Sequence, residues 1–315
     1  MAKKENFNPL IANAESAIYH VPVMLKEVLD GLNIDPSGIY VDCTFGGGGH
    51  SSGILQRLNE SGRLFAFDQD AQAKQNLPND NRVIFVPQNF RHLQRFLRLY
   101  KVTAVNGILA DLGVSSHQFD EAERGFSLRF DGPLDMRMNK EQSLTAAEIV
   151  NHYDEARLHK LFERYGEVTN AKTLAKKIVE ERKKQALTTI RNFKNVLSSV
   201  VKGNPNKYFA QVFQSLRIEV NDELGALKEM LQQSPALLKS GGRIAVITFH
   251  SLEDRIVKNF YKKGITEPIE DINPFGQSIT PPLQVVTKKP IVPTEKEIKQ
   301  NPRSRSAKLR IAEKL

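Results

Sequence analysis

Four consecutive glycines, Gly46 to Gly49, constrain this chain more than any other feature. They end the short apolar run Gly38-Ile-Tyr-Val-Asp-Cys-Thr-Phe45 and precede residues 50–60, which have helical character. A buried strand that turns on glycine into a helix opens a nucleotide-binding βα unit. Glycine permits the tight turn, and the helix N-terminus offers unpaired N–H groups to a ligand. The alternation continues. Arg63–Asp68, Arg82–Pro87 and Val105–Asp111 read as further strands, and Leu93, Phe96, Leu97 and Tyr100 have helical spacing between the last two. Strands alternating with helices imply parallel pairing through crossover helices, hence an α/β sheet.

The rhythm breaks near residue 119. Residues 119–140 are rich in Gly, Asp and Arg and read as a long loop, and residues 143–215 are mostly helical with no convincing strand. Thr145-Ala-Ala-Glu148 has the form of a capping box. A basic amphipathic stretch over 171–184 carries Leu174, Ile178 and Val179. After a helix predicted over 218–239, the strand pattern returns at Gly242–Phe249; Leu283–Thr287 and Ala307–Ala312 are candidate closing strands beyond a loop at 264–282. The expected organisation is a discontinuous core of residues 17–120 and 218–315, an inserted helical unit over 121–217, and a loose segment over 1–16.

Asp68 ends the second strand, about 20 residues after the glycines, the spacing at which a carboxylate meets ribose hydroxyls. The dinucleotide fingerprint fails in each frame, at Ser51, Ser52 or His50, and the P-loop fails because Ile54 follows Gly53. S-adenosylmethionine has no pyrophosphate and needs neither pattern. The competing reading is a glycine turn that serves packing alone.

An excess of 45 basic over 36 acidic residues, a formal charge of +9, suits a polyanionic partner. The single Cys43 excludes an internal disulfide framework and a multi-cysteine zinc site, which fits a reducing cytosol. No apolar run approaches the length of a secretory or membrane-spanning segment, so the expectation is a cytoplasmic protein. On these residues an RNA methyltransferase, a methyltransferase of DNA or a small molecule, and a non-catalytic RNA-binding factor all stand open.

A set of longer motifs narrows this. Asp42-Cys-Thr-Phe-Gly-Gly-Gly-Gly-His50-Ser, Asp68-Gln-Asp70, Asp111-Leu-Gly-Val-Ser-Ser-His-Gln118, Arg124-Gly-Phe-Ser127, Gly132-Pro-Leu-Asp-Met-Arg-Met138, Phe213-Gln-Ser-Leu-Arg-Ile218 and Phe249-His-Ser-Leu-Glu-Asp-Arg255 occur in this order. His20-Val-Pro-Val-Met24, Tyr165-Gly-Glu167 and Asn301-Pro-Arg-Ser-Arg-Ser306 extend the set. Together they resemble the bacterial small-subunit (16S) rRNA cytosine-N4 methyltransferases of the RsmH or MraW type. The resemblance implies a Rossmann-like class I S-adenosylmethionine methyltransferase sheet with an inserted all-helical domain. It implies methylation of the exocyclic N4 of a cytosine in the decoding region of 16S rRNA; free rRNA and an assembled small ribosomal subunit both stand open as the substrate. It also implies cofactor contacts at Gly48, Gly49, His50, Asp68, Phe90, Asp111 and Gln118.

The cytosine N4 lone pair is delocalised into the ring, so catalysis needs an acceptor that holds an N4–H and an in-line placement of amine and methyl donor. Asp135 and His250 are the candidates for orienting the amine. The competing readings are that Asp135 caps a turn or pairs Arg137, and that His250 serves structural hydrogen bonding. His250, Glu253 and Asp254 are expected to hydrogen-bond at a helix start rather than to bind metal. Arg303, Arg305, Lys308 and Arg310 are expected to contact RNA phosphates. The target base must be unpaired or flipped out to reach a buried methyl donor.

Overall fold

The computed structural model describes residues 22–266 and 280–315; the segment read as loose (1–16) and most of the 264–282 loop lie outside them. Helix α1 (Leu25–Leu32) leads into β1 (Ile39–Asp42), α2 (Gly49–Arg57), β2 (Arg63–Phe67), β3 (Val83–Val86), α3 (Leu93–Leu99) and β4 (Val105–Asp111). A helical stretch follows: α4 (Ser116–Asp120), α5 (Ala146–His152), α6 (Glu155–Gly166), α7 (Ala171–Arg182), α8 (Ile190–Leu197), α9 (Pro205–Asn221) and α10 (Glu223–Leu237). The sheet resumes with β5 (Leu238–Thr248), then α11 (Ser251–Lys263), β6 (Gln284–Val285), α12 (Glu295–Gln300) and β7 (Lys308–Glu313).

The strands form one sheet in the order β3-β2-β1-β4-β5-β7-β6. The first five pair in parallel, and β7 runs antiparallel to both β5 and β6. The period of two explains why the strands read as unbroken apolar runs. Val41, Phe65, Ile108 and Val246 pack on one face with Leu97, Leu231 and Val257. Their neighbours Tyr40, Leu64, Leu109 and Ala245 pack on the other with Val28, Leu32 and Ile54. A sheet covered on both faces has no polar side to alternate with. The strand order reverses between β1 and β4, and the crevice beyond their carboxyl ends is where an open α/β sheet receives a ligand.

The helices from α5 to α9 enclose their own apolar cluster, from Phe126 through Ile149, Phe162, Ile178 and Phe193 to Val220. The sequence-based boundary at 217/218 falls inside α9, which runs on to Asn221. The helix predicted over 218–239 is therefore two helices. They break at Asp222, which takes a left-handed conformation (φ 46°) and whose Oδ2 accepts from Arg91 Nη2 at 2.6 Å. Aspartate adopts that conformation more readily than most residues, so no glycine or proline marks the break. Thr145 accepts the Glu148 N–H at 3.1 Å, one half of the predicted capping box. On α7 the basic face is a solvated one: Lys176 and Lys177 pair with Glu180 and Glu181, while Leu174, Ala175 and Ile178 are buried.

Candidate active site

A cavity of about 680 Å³ opens at the β1/β4 switch point. The β1–α2 turn forms its floor. Gly46 and Gly48 have φ of 50° and 75°, values that a residue with a Cβ adopts only under strain. Asp68 closes this turn: its Oδ2 accepts the Gly46 N–H at 2.8 Å, and its Oδ1 accepts the Asp70 N–H at 2.8 Å. Burial pushes the Asp68 carboxyl up to about 6. Opposite, Asp111 ends β4. Burial pushes it up to about 6 as well, and its Oδ1 has no hydrogen-bond partner among the described residues. His50, on the first turn of α2, places Nδ1 3.6 Å from Asp111 Oδ2, while its Nε2 lies 3.0 Å from the Val23 carbonyl oxygen. Asp42, fully buried beneath them, accepts from Ser51 Oγ at 2.7 Å and from the Thr44 N–H at 3.0 Å. Thr44 Oγ1 in turn accepts the Asp111 N–H at 2.7 Å, which fixes the end of β4.

Gly49, His50, Asp68, Phe90, Asp111 and Gln118, all expected as cofactor contacts, line this one cavity. Gly48 does not. It caps α2, and a Cβ there would lie 3.0 Å from the Phe45 ring, so its place is in the turn's backbone. Gln118 lines the wall with its amide committed at both ends: Oε1 accepts the Ser115 N–H at 3.2 Å and Nε2 donates to Asp70 Oδ2 at 2.7 Å. Gln69, Asn89, Leu112, Asn221 and Glu223 also line the cavity and were not singled out from sequence. For Gln69 and Leu112 the available signal was their position directly after a strand's carboxyl end.

A second cavity of about 320 Å³ adjoins the first, and Val114 and Phe249 line both. Its walls come from both apolar units: Phe119, Phe126 and Phe213 supply aromatic surface, and Ser127, Gln214, Arg217 and His250 supply polar groups. His250 therefore belongs to this second cavity. Its Nδ1 accepts the Glu253 N–H at 3.4 Å, capping α11. Its Nε2 is buried and lies 3.2 Å from Glu253 Oε1, within ion-pair distance of that carboxylate.

Asp135 is the other candidate for orienting the amine. It lines neither cavity, and its two oxygens accept from Arg137 Nε and Nη2, each at 2.8 Å. Burial opposes ionisation, but the hydrogen bonds from Arg137 outweigh it and hold the carboxyl below its usual range. The basic C-terminal set also needs revision. Arg310 is buried and paired with Asp254 at 2.7 Å, and Lys308 lies 3.4 Å from the same carboxylate. Arg303 reaches the cavity mouth, where it pairs with Asp120 and lies over the Phe119 ring at 5.0 Å. Arg129 flanks the same ring at 5.4 Å. Glu223, His250 and Glu253 bring possible ligand atoms within 4.8 Å of one another, but Arg217 already donates to both oxygens of Glu223, at 2.8 and 3.1 Å.

The group for which sequence offered least is Arg124, only 2% exposed. Its Nη1 donates to Asp70 Oδ2 at 2.7 Å and to Gln72 Oε1 at 2.8 Å, and its Nη2 donates to the carbonyls of Arg137 and Met138, each at 3.0 Å. It thereby fastens the segment leading into the helical unit to the loop after β2.

The donor set fits S-adenosylmethionine. Asp68 can accept ribose hydroxyls, and the unpartnered Asp111 oxygen suits a cationic ammonium group. Sheet order, glycine turn and paired acidic strand ends define a class I S-adenosylmethionine-dependent methyltransferase. The profile of the MraW methylase family matches residues 17–315. The chain is 57% identical over 297 residues to "Ribosomal RNA small subunit methyltransferase H" of Bacteroides thetaiotaomicron, covering 94% of this chain and 97% of that one. It is 53% identical over 292 residues to the protein of that name from Flavobacterium psychrophilum, covering 92% of this chain and 100% of that one. The chain belongs to the MraW methylase family.

Proposed function

We propose that this S-adenosylmethionine-dependent rRNA methyltransferase modifies the exocyclic N4 of a cytosine in the decoding region (P site) of 16S rRNA, acting in the cytoplasm on a small ribosomal subunit. Among the described residues no helix is long and apolar enough to cross a membrane. When bound, S-adenosylmethionine supplies an electrophilic methyl group on a sulfonium. Asp68 would take its ribose hydroxyls, Phe90 its adenine, and Asp111 its ammonium, with His50 beside Asp111 and the backbone of Gly48 and Gly49 shaping the turn.

The observation that carries the reading is the second cavity. It shares Val114 and Phe249 with the cofactor cavity, so a base seated there borders the methyl donor. Aromatic walls suit a flipped pyrimidine, and the helical unit spanning roughly 121–217 supplies the wall facing the sheet domain. Arg129 and Arg303 beside Phe119 suit the flanking RNA backbone. His250 lies on this wall and is the residue proposed to orient the base, while Asp135, the other candidate, lies outside both cavities.

Ala210 tests the pocket without touching the core, because it is exposed on α9 and lines the second cavity. An Ala210→Trp variant is expected to bind S-adenosylmethionine normally and to lose about a hundredfold in methyl transfer to small subunits, the scale of a misplaced substrate. Unchanged turnover would put the base elsewhere.

A further inference from the structure

The left-handed break at Asp222 turns the start of α10 back against the end of α9. Glu223 thereby meets Arg217, whose Nε donates to Oε1 at 2.8 Å and whose Nη2 donates to Oε2 at 3.1 Å. The pair bridges the two cavities: Glu223 lines the cofactor cavity and Arg217 lines the second. A carboxylate oxygen of Glu223 also lies within 4.8 Å of a ring nitrogen of His250, another wall residue of the second cavity. The other carboxylates on the cofactor cavity are engaged elsewhere. Asp68 closes the glycine turn, and Asp111 faces His50. Asp120 pairs with Arg303 at the mouth. Glu253, 2% exposed, accepts the Phe249 N–H at 2.8 Å and borders His250. On Glu223 each oxygen accepts one N–H from Arg217, and a carboxylate oxygen has lone pairs for two. Acceptor capacity therefore remains on Glu223, at the boundary where a base and a methyl donor would meet.

Resting on the base-methyltransferase reading, we propose that the Glu223 carboxylate is a catalytic residue that accepts an N4–H of the target cytosine, held in place by Arg217. The contact acts on rate in two ways. An anionic acceptor on one N4–H fixes the amine's rotation, and it raises electron density on a nitrogen whose lone pair is otherwise drawn into the ring. In the transfer, the N4 lone pair forms the new carbon–nitrogen bond. The methyl–sulfur bond breaks with its electron pair left on sulfur, and the proton that N4 then sheds passes to Glu223 and on to water. Arg217 is a positioning residue. Its fork grips both carboxylate oxygens, so the direction of their remaining lone pairs is set before the base arrives. Ser127 and Gln214 also carry acceptor oxygens, but they line the second cavity alone.

The test uses the full-length protein and small subunits reconstituted with unmethylated rRNA that carries either cytidine or zebularine at the target; zebularine lacks the 4-amino group. Two quantities are measured for the unsubstituted protein, Glu223→Gln and Glu223→Leu. One is single-turnover methyl transfer to cytidine subunits at saturating S-adenosylmethionine. The other is the Kd for each kind of subunit with S-adenosylhomocysteine present, so that no reaction occurs. Glutamine keeps an acceptor oxygen for Arg217 and for the amine but loses the charge, and its rate is expected to fall about tenfold. Leucine removes the acceptor, and its rate is expected to fall about a hundredfold, the scale of a misplaced reacting group. The cofactor Kd is expected to be unchanged in both. Loss of the 4-amino group is expected to weaken subunit binding by the unsubstituted protein about tenfold, and binding by Glu223→Leu not at all. A role in folding alone would lower rates without changing this comparison. A tenfold zebularine penalty in Glu223→Leu would overturn the contact. Leucine leaves Arg217 without its partner; should that variant fail to bind the cofactor, Glu223→Gln decides, and its transfer at the unsubstituted rate would overturn the proposal. Absence of methyl transfer by the unsubstituted protein to cytidine subunits would instead overturn the underlying methyltransferase reading.

Discussion

An Arg124→Met variant is expected to lose about 3–5 kcal/mol of unfolding free energy in denaturant titration, the cost of breaking a buried ion pair from one side. Methionine fills much of the volume but removes every donor. The Asp70 carboxylate, 6% exposed, would keep Gln118 and lose its cation, and the carbonyls of Arg137 and Met138 would lose a shared partner. Burial works against the ionised Asp70 carboxyl, and the hydrogen bonds from Gln118 and Arg124 still hold it below its usual range. Removing both charges in Asp70→Leu/Arg124→Met is expected to recover part of the loss, because no unpaired ion remains. A single variant within about 1 kcal/mol of the parent, the range of an ordinary substitution, would mean that this arginine does not fasten the helical unit to the cofactor loop.

Cofactor affinity is expected to fall by about a hundredfold between pH 7.5 and pH 5, measured by isothermal titration calorimetry. On the proposed reading, ligand binding uses the ionised forms of Asp68 and Asp111, whose carboxyls burial pushes up to about 6. At pH 5 about one tenth of each is ionised, so each contributes about a tenfold loss. The apo protein responds in the opposite sense. A folded pKa of about 6 against an ordinary 3.8 means that these two groups stabilise the fold most at low pH, and that this contribution is lost as pH rises through about 6. Weaker binding at pH 5 by a protein no less stable than at pH 7 identifies the carboxylates; a flat affinity over this range would remove them from the cofactor site.

Much of the sheet domain was legible because its signals are local. Apolar runs such as Ile39–Asp42 and Val105–Asp111 are buried on both faces, and the glycine turn and Asp68 are tied by chain spacing alone. The helical unit was legible as helices but not at its end, since Asp222 breaks the chain by a backbone conformation rather than by composition. Arg124 and Arg310 carry charges that read as surface, yet both are buried against carboxylates 54 and 56 residues away in sequence, a pairing that only the tertiary fold creates. Asp135 shows the converse. It lies among motif residues, and its own neighbour Arg137 consumes it. His250 stood out at a strand end, but its place in the second cavity appears only in the fold. The second cavity draws on several separated stretches between Val114 and His250, so no local pattern announces it.

The most direct measurement is the identity of the modified nucleoside. Small subunits lacking the modification would be incubated with the protein and S-adenosylmethionine, and their rRNA digested and analysed by mass spectrometry against nucleoside standards. The expected product is N4-methylcytidine at one position. Methyl transfer to a ring carbon or ring nitrogen, or cofactor binding with no transfer at all, would contradict the reading of the two adjoining cavities as methyl donor site and cytosine site.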